Sequence, residues 1–124
     1  TVIVDVFRRR LRDGATFEEF VEAWEAESGF GVPARVFNAV SLEDPREILS
    51  VGFVSASPAD LGALGERVAD TEAERHRRID AVIESTELRA FYELRTEHDF
   101  SDDPREIDAA SAESLLAALR GGTA

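Results

Sequence analysis

Residues 71–100, TEAERHRRIDAVIESTELRAFYELRTEHDF, combine a helical pattern and a strand pattern in one segment. Three aliphatic residues are spaced as on one face of a helix: Ile79, Val82 and Ile83. His76 lies three residues before the first of them, on the same stripe. The pattern predicts a helix over about 71–85, a turn at Ser85-Thr86 and a strand over 88–96 that is rich in aromatic and aliphatic residues.

The N-terminal half predicts a strand followed by a capped helix. Alternating residues over 2–11 are typical of a strand, and Asp13-Gly14 marks a turn. Thr16 begins a helix, and Glu19 three residues later completes a capping box. The helix carries an apolar stripe at positions i, i+3, i+4 and i+7: Phe17, Phe20, Val21 and Trp24.

The middle of the chain predicts a hairpin and a second helical region. Strands are expected over 35–41 and 48–55, joined by a loop that contains Pro45. Ser57-Pro58 is a helix start, with Ser as the N-cap and Pro at the first helical position. Gly62 and Gly65 weaken the helix that follows, so we expect a short or kinked piece before the helix at 71–85.

The order strand, helix, strand, strand, helix, strand predicts an α+β fold of the ferredoxin-like βαββαβ type. Its four-stranded antiparallel sheet would have helices on one face. We expect this domain to span residues 1–100. A polar loop over 99–108 would lead into a C-terminal extension over 101–124, which would carry an extra helix over about 111–120, ended by Gly121-Gly122.

The face of the sheet away from the helices predicts self-association. The more apolar side of the first strand, with Val2, Val4 and Val6, is expected to meet the helices. The open face would then carry several large apolar groups among charges: Ile3, Asp5, Phe7, Arg9, Val54, Phe91, Glu93 and Arg95. Because such a patch is unusual on a monomer, we predict a homodimer through the open sheet face. The alternative is a hydrated sheet face with scattered apolar residues.

Composition excludes several functional classes. The formal net charge of −12 argues against nucleic-acid binding and against docking on anionic lipid. Cysteine is absent, which excludes disulfides and thiolate metal sites, and the absence of lysine excludes Schiff-base catalysis. No apolar run is long enough to span a membrane, and TVIVDVF at the start does not resemble a signal peptide. We therefore expect a cytoplasmic protein.

With these features the chain resembles the dimeric α+β barrel superfamily, specifically its antibiotic biosynthesis monooxygenase-like members. The resemblance covers the element order over about 1–100. It also includes the segment VDVFRRRLRDG, which is followed by TFEEFVEAW, and the fourth strand, which contains FYEL. It implies dimers with back-to-back sheets and a small ligand between sheet and helices. Some members oxygenate aromatic polyketides without a cofactor, others degrade haem, and many have no assigned activity.

Haem degradation is disfavoured by the same resemblance. The haem-degrading members use a His on the second long helix, which His76 could match. They also use an Asn on the first strand, where this chain has Phe7 nearby, and a Trp on the second helix, which this chain lacks.

The first functional hypothesis is a small-molecule-binding dimer that is a cofactor-independent monooxygenase-like enzyme, with no cofactor and no metal. His76 would be the acid/base and Asn38 the orienting group. Four aromatic residues would wall the pocket for an apolar or aromatic ligand: Phe7, Phe20, Trp24 and Phe37. The alternative is a non-catalytic structural or regulatory dimer with a side-chain-filled interior, in which Trp24 packs in the core and His76 is a hydrogen-bonded, partly buried residue.

Overall fold

The computed structural model describes residues 2–25 and 29–107. Its first six elements alternate as predicted: β1 (Val2–Leu11), α1 (Phe17–Trp24), β2 (Ala34–Val40), β3 (Glu47–Ser55), α2 (Pro58–Asp80) and β4 (Ile83–Glu93). The strands form an antiparallel four-stranded sheet in the order β2-β3-β1-β4. This is the ferredoxin-like α+β arrangement, and it confirms the predicted fold class.

Both helices pack on the same face of the sheet, here called the inner face. Their shared core is a cluster of buried aliphatic and aromatic residues: Leu11, Phe20, Ile48, Ile79 and Ile83. α1 begins at the predicted capping box, in which Thr16 Oγ1 accepts a bond from the Glu19 N–H at 3.2 Å and Glu19 Oε1 accepts one from the Thr16 N–H at 3.1 Å. The cap orients α1 so that Phe20 enters this core.

α2 is one continuous helix of 23 residues, so the predicted kink and the predicted end at Ser85 are both wrong. The predicted cap at Ser57-Pro58 is confirmed, with Ser57 Oγ accepting a bond from the Asp60 N–H at 3.2 Å. Burial of Leu64 and Ile79 offsets the weak helix propensity of the glycines. The helix ends at Asp80 because the next residues join the sheet.

β4 begins at Ile83, five residues earlier than predicted. Leu11 at the end of β1 pairs with Ile83, and register shifts in the β1–β4 pairing accommodate the extra length. The Arg12 N–H bonds the Val82 carbonyl at 3.0 Å, and Arg12 Nε donates to the Ile83 carbonyl at 3.0 Å. Partners that are distant in the sequence therefore override the local helical spacing of residues 79–83.

A short hairpin, β5 (Glu97–Asp99) and β6 (Arg105–Ile107), replaces part of the predicted polar loop. The Asp99 carboxylate closes it, accepting bonds from the Ser101 N–H at 2.8 Å and from Arg105 Nη2 at 3.3 Å. The predicted C-terminal helix at 111–120 lies outside the described residues.

The assignment of residues to the two sheet faces is reversed relative to the prediction. Asp5 and Phe7 point to the inner face, where their neighbours Gly52 and Ser50 on β3 also lie. The opposite side, here called the outer face, carries largely apolar residues: Val4, Val6, Phe37, Leu49, Val51, Phe53, Leu88, Ala90 and Tyr92. The prediction fails because it assumes that the more apolar side meets the helices, whereas the inner side encloses a cavity that holds charged groups.

Candidate functional site

A cavity of about 740 Å³ lies between the inner face of the sheet and α2. Most of its lining side chains are apolar: Ile3, Phe7, Trp24, Phe30, Val36, Val54, Leu61, Leu64, Val68 and Phe91. The polar part of the lining is small and largely charged: Asp5, Arg9, Ser50, Glu72, Arg75, His76 and Arg89. Apolar walls with a few convergent polar groups are the usual composition of a small-molecule site, and the volume is in the usual range.

Small residues on one stripe of α2 make room for this cavity. At helical spacing along the lining stripe lie Gly62, Gly65, Ala69 and Ala73. A Cβ atom added at Gly62 or Gly65 would meet no atom within 4 Å. The glycines that the sequence analysis treats as helix weaknesses therefore leave open space above the sheet.

The structure brings three of the predicted site residues together. Phe7, Trp24 and His76 all line the cavity, and the Phe7 and His76 rings meet edge to face with centroids 5.7 Å apart. The sheet register and the packing of α2 on the inner face place this pair on facing surfaces.

The other three predicted residues lie elsewhere. Phe20 is completely buried in the core beside α2. Phe37 points to the outer face, is 41% exposed and does not line the cavity. Asn38 is on the inner side of β2 but outside the lining, and its Oδ1 accepts a bond from Ser50 Oγ at 2.6 Å. Asn38 therefore reaches the cavity only through Ser50.

His76 is held by a carboxylate on its own helix. Its Nε2 lies 3.4 Å from Glu72 Oε2, one turn earlier. Burial opposes the charge of Glu72, but hydrogen bonds from His76 and Arg75 outweigh it and lower the pKa of Glu72 to about 2. Glu72 is therefore an anion at neutral pH, and it orients an imidazole that faces the cavity and can accept or donate a proton.

Replacing Glu72 with Gln is expected to lower the free energy of unfolding at pH 7 by about 1–2 kcal/mol, a range that allows for screening of a partly exposed group. Because the pKa of Glu72 is lower in the folded than in the unfolded state, its contribution is complete above its ordinary pKa of 4.5 and is lost as the pH falls to about 2. Urea denaturation of both proteins across this range measures the difference.

Glu74→Gln is the matched control for this experiment, because Glu74 pairs with Arg77 and Arg78 on the exposed side of the same helix. Its effect on the free energy of unfolding should stay below about 1 kcal/mol. A Glu72→Gln difference that does not shrink with falling pH would contradict the assignment.

Asp5 is a cavity group whose position the sequence analysis misassigns. Burial raises the pKa of Asp5 above its ordinary value, against the lowering influence of the Gly52 backbone and of Arg75. A Cβ atom at Gly52 would lie only 2.5 Å from Asp5 Oδ1, so the carboxyl group occupies the space of a missing side chain. This placement follows from the Asp5–Gly52 pairing in the sheet, which only the register reveals.

Arg9 and Arg75 are buried guanidinium groups at the same wall. Arg75 bonds Glu72 with 2.6 and 3.2 Å contacts, donates to the Trp24 carbonyl at 3.2 Å and lies 4.9 Å from the centre of the Trp24 ring. Arg9 is only 2% exposed, and burial, together with the charges of Arg75 and Arg89, lowers its pKa to about 10. Arg9 therefore stays positively charged at neutral pH.

A metal-binding cluster and a membrane-spanning helix are both absent from the part of the chain that the structure describes. Residues 2–25 and 29–107 contain no group of three or more His, Cys, Asp or Glu side chains that could hold a metal ion. Neither helix within these ranges is long and apolar enough to cross a membrane.

The sequence matches no protein-family model and no curated protein. Its structure is similar to the crystal structure of a proposed antibiotic biosynthesis monooxygenase from Chloroflexus aurantiacus J-10-fl. The similarity has a TM-score of 0.58 at 14% identity and covers 82% of this chain and 100% of that one. At this identity the likeness shows the fold alone, and it agrees with the ferredoxin-like α+β arrangement described above.

Proposed function

We propose that this protein binds a small aromatic molecule in the cavity between α2 and the inner face, and that it oxygenates this molecule with dioxygen and without a cofactor. One oxygen atom would enter the ligand, and the ligand would supply the electrons and protons that turn the other into water. The observation that carries the proposal is the cavity itself, about 740 Å³ in volume and lined mainly by apolar side chains. Such a space has room for several fused rings, and it argues against an interior filled by the protein's own side chains.

The walls suit a flat ring system. Phe7, Trp24 and Phe91 come from three different elements and present aromatic surface to the cavity. Aromatic side chains favour stacked or edge-to-face contacts with other rings. The Glu72–His76 pair would accept a proton from the ligand, and the fold shared with a proposed monooxygenase supports oxygenation as the reaction class.

The proposed functional unit is a cytoplasmic homodimer formed through the outer face. Phe37, Leu49 and Tyr92 are 41%, 38% and 52% exposed on this face. Their strands carry further apolar residues on the same side, so the exposed surface is continuous across the sheet. Covering such a patch with the same patch of a second copy is the simplest two-fold arrangement.

A binding titration with 2-(hydroxymethyl)anthracene, a neutral tricyclic probe, tests the function. Trp24 is the only tryptophan in the chain and lines the cavity, so the probe should change its fluorescence and also raise the melting temperature. A His76→Ala variant should keep binding but lose oxygen consumption with an accepted substrate. Absence of binding by this probe and by related polycyclic quinones would contradict the proposal. Tight binding of haem instead would indicate haem as the ligand of the cavity.

A further inference from the structure

Two cationic side chains meet at one aromatic ring on the cavity wall. The guanidinium carbons of Arg9 and Arg89 lie 4.4 and 5.4 Å from the centre of the Phe7 ring. Among the described residues, no carboxylate oxygen lies within the 4.0 Å ion-pair distance of either group. Two like charges are thus held near one ring without an ion-pair partner in the described part of the chain.

Arg9 also has an unused hydrogen-bond donor. Arg9 is only 2% exposed, and its buried Nη1 has no hydrogen-bond partner in the described part of the chain. A buried polar group without a partner is rare because its desolvation is not compensated. Arg9 is one of the side chains that line the cavity, so a ligand bound there could supply the missing acceptor.

The carboxylates of the cavity do not balance these cations. Glu72 is engaged by Arg75 and His76. Asp5 is the remaining lining carboxylate, and three lining arginines, Arg9, Arg75 and Arg89, therefore face two acidic groups. The cavity carries a positive excess in a chain whose formal net charge is −12. This local excess of arginines favours an anionic group at this wall.

We propose that the ligand of the cavity is an aromatic carboxylate whose charged group binds Arg9 and is also attracted by Arg89. This inference rests on the proposed function, since it names the ligand class of the same cavity. A guanidinium presents a planar set of N–H donors that matches the oxygens of a carboxylate. The aromatic part of the ligand would lie against Phe7 and Trp24, which border the same space.

The test compares two probes of nearly equal shape, anthracene-2-carboxylate and the neutral 2-(hydroxymethyl)anthracene, by titration of Trp24 fluorescence at constant ionic strength. The parent protein should bind the acid at least about tenfold more tightly, as expected for a charged hydrogen bond in a buried site. Arg9→Gln should remove most of this preference and leave the affinity for the neutral probe within about threefold.

Three further variants complete the comparison. Arg9→Lys keeps the charge and should retain part of the preference. Arg89→Gln, at an exposed position, should reduce the preference even if Arg9→Gln does not fold. Arg95→Gln is the control, because Arg95 is exposed and outside the cavity lining, and it should bind both probes as the parent does.

Equal affinity of the parent for the two probes would overturn the proposal and leave aromatic binding intact. The same holds if the preference persists in both Arg9→Gln and Arg89→Gln. If neither probe binds the parent, the proposed function itself fails, so the two failures are distinguishable.

Discussion

A Val51→Asp variant is expected to be monomeric at concentrations at which the parent protein is expected to form the proposed dimer. Val51 lies on the outer face, where the pairing of β3 with its neighbours places it between Val6 and Phe37. A dimer through this face would bury the new carboxylate among apolar groups, at a cost of several kcal/mol per copy. A two-fold interface contains the substitution twice, so the dissociation constant should rise by about 1,000-fold or more.

Sedimentation velocity over a concentration series measures this change, and circular dichroism verifies that the variant is folded. Leu42→Asp is the matched control, because Leu42 is fully exposed in the loop between β2 and β3 and lies outside the outer face. It should remain dimeric. A parent protein that stays monomeric at high concentration, or a folded Val51→Asp protein that stays dimeric, would rule out the proposed interface.

The second large effect is expected from Gly65→Phe, which should weaken binding of 2-(hydroxymethyl)anthracene by more than about 100-fold. Gly65 lies on the lining stripe of α2, and a Cβ atom there meets nothing within 4 Å. A side chain at this position therefore starts in open space, and the Phe ring would occupy the volume that the ligand needs. Titration of Trp24 fluorescence measures the loss.

Gly65→Ala separates this steric effect from the effect of removing a glycine. Alanine adds one methyl group to the cavity and should preserve binding. It should also raise the free energy of unfolding by about 0.5–1 kcal/mol, because glycine is unfavourable inside a helix. If Gly65→Phe binds the probe as tightly as Gly65→Ala does, the ligand does not occupy the space beside α2.

The elements that local chemistry specifies are predictable from the sequence. Thr16 and Glu19 supply reciprocal caps within one turn, so the start of α1 needs no distant partner. The alternation of β1 and the Ser57-Pro58 cap are local in the same way. Element order then follows, and with it the ferredoxin-like fold.

Features that depend on pairing between distant residues are not predictable in this way. Residues 79–83 have helical spacing, but the partner Leu11 draws Ile83 into the sheet. The two sides of β1 also have similar apolar content. Which side meets the helices depends on what the opposite surface of α2 provides, and α2 provides small residues that leave a cavity.

The same distinction between local and distant determinants applies to the residues of the candidate site. His76 and Trp24 are predictable because they continue apolar helical stripes, and both border the cavity. Asp5 and Arg9 are assigned to the open face because charges are not expected beneath helices. The mixture of Glu and Arg over residues 72–78 is typical of a solvated row of ion pairs on a helix. The outer pairs of Glu74 have that character, whereas Arg75 is buried against Glu72 and Trp24.

The central claim is that the space between α2 and the inner face binds an aromatic molecule. A crystal structure of the protein with anthracene-2-carboxylate tests it most directly. We predict the ring system in the cavity beside Phe7 and Trp24, with the carboxylate bound to Arg9. A probe found only outside this space, or a cavity closed by the protein's own side chains, would contradict the claim.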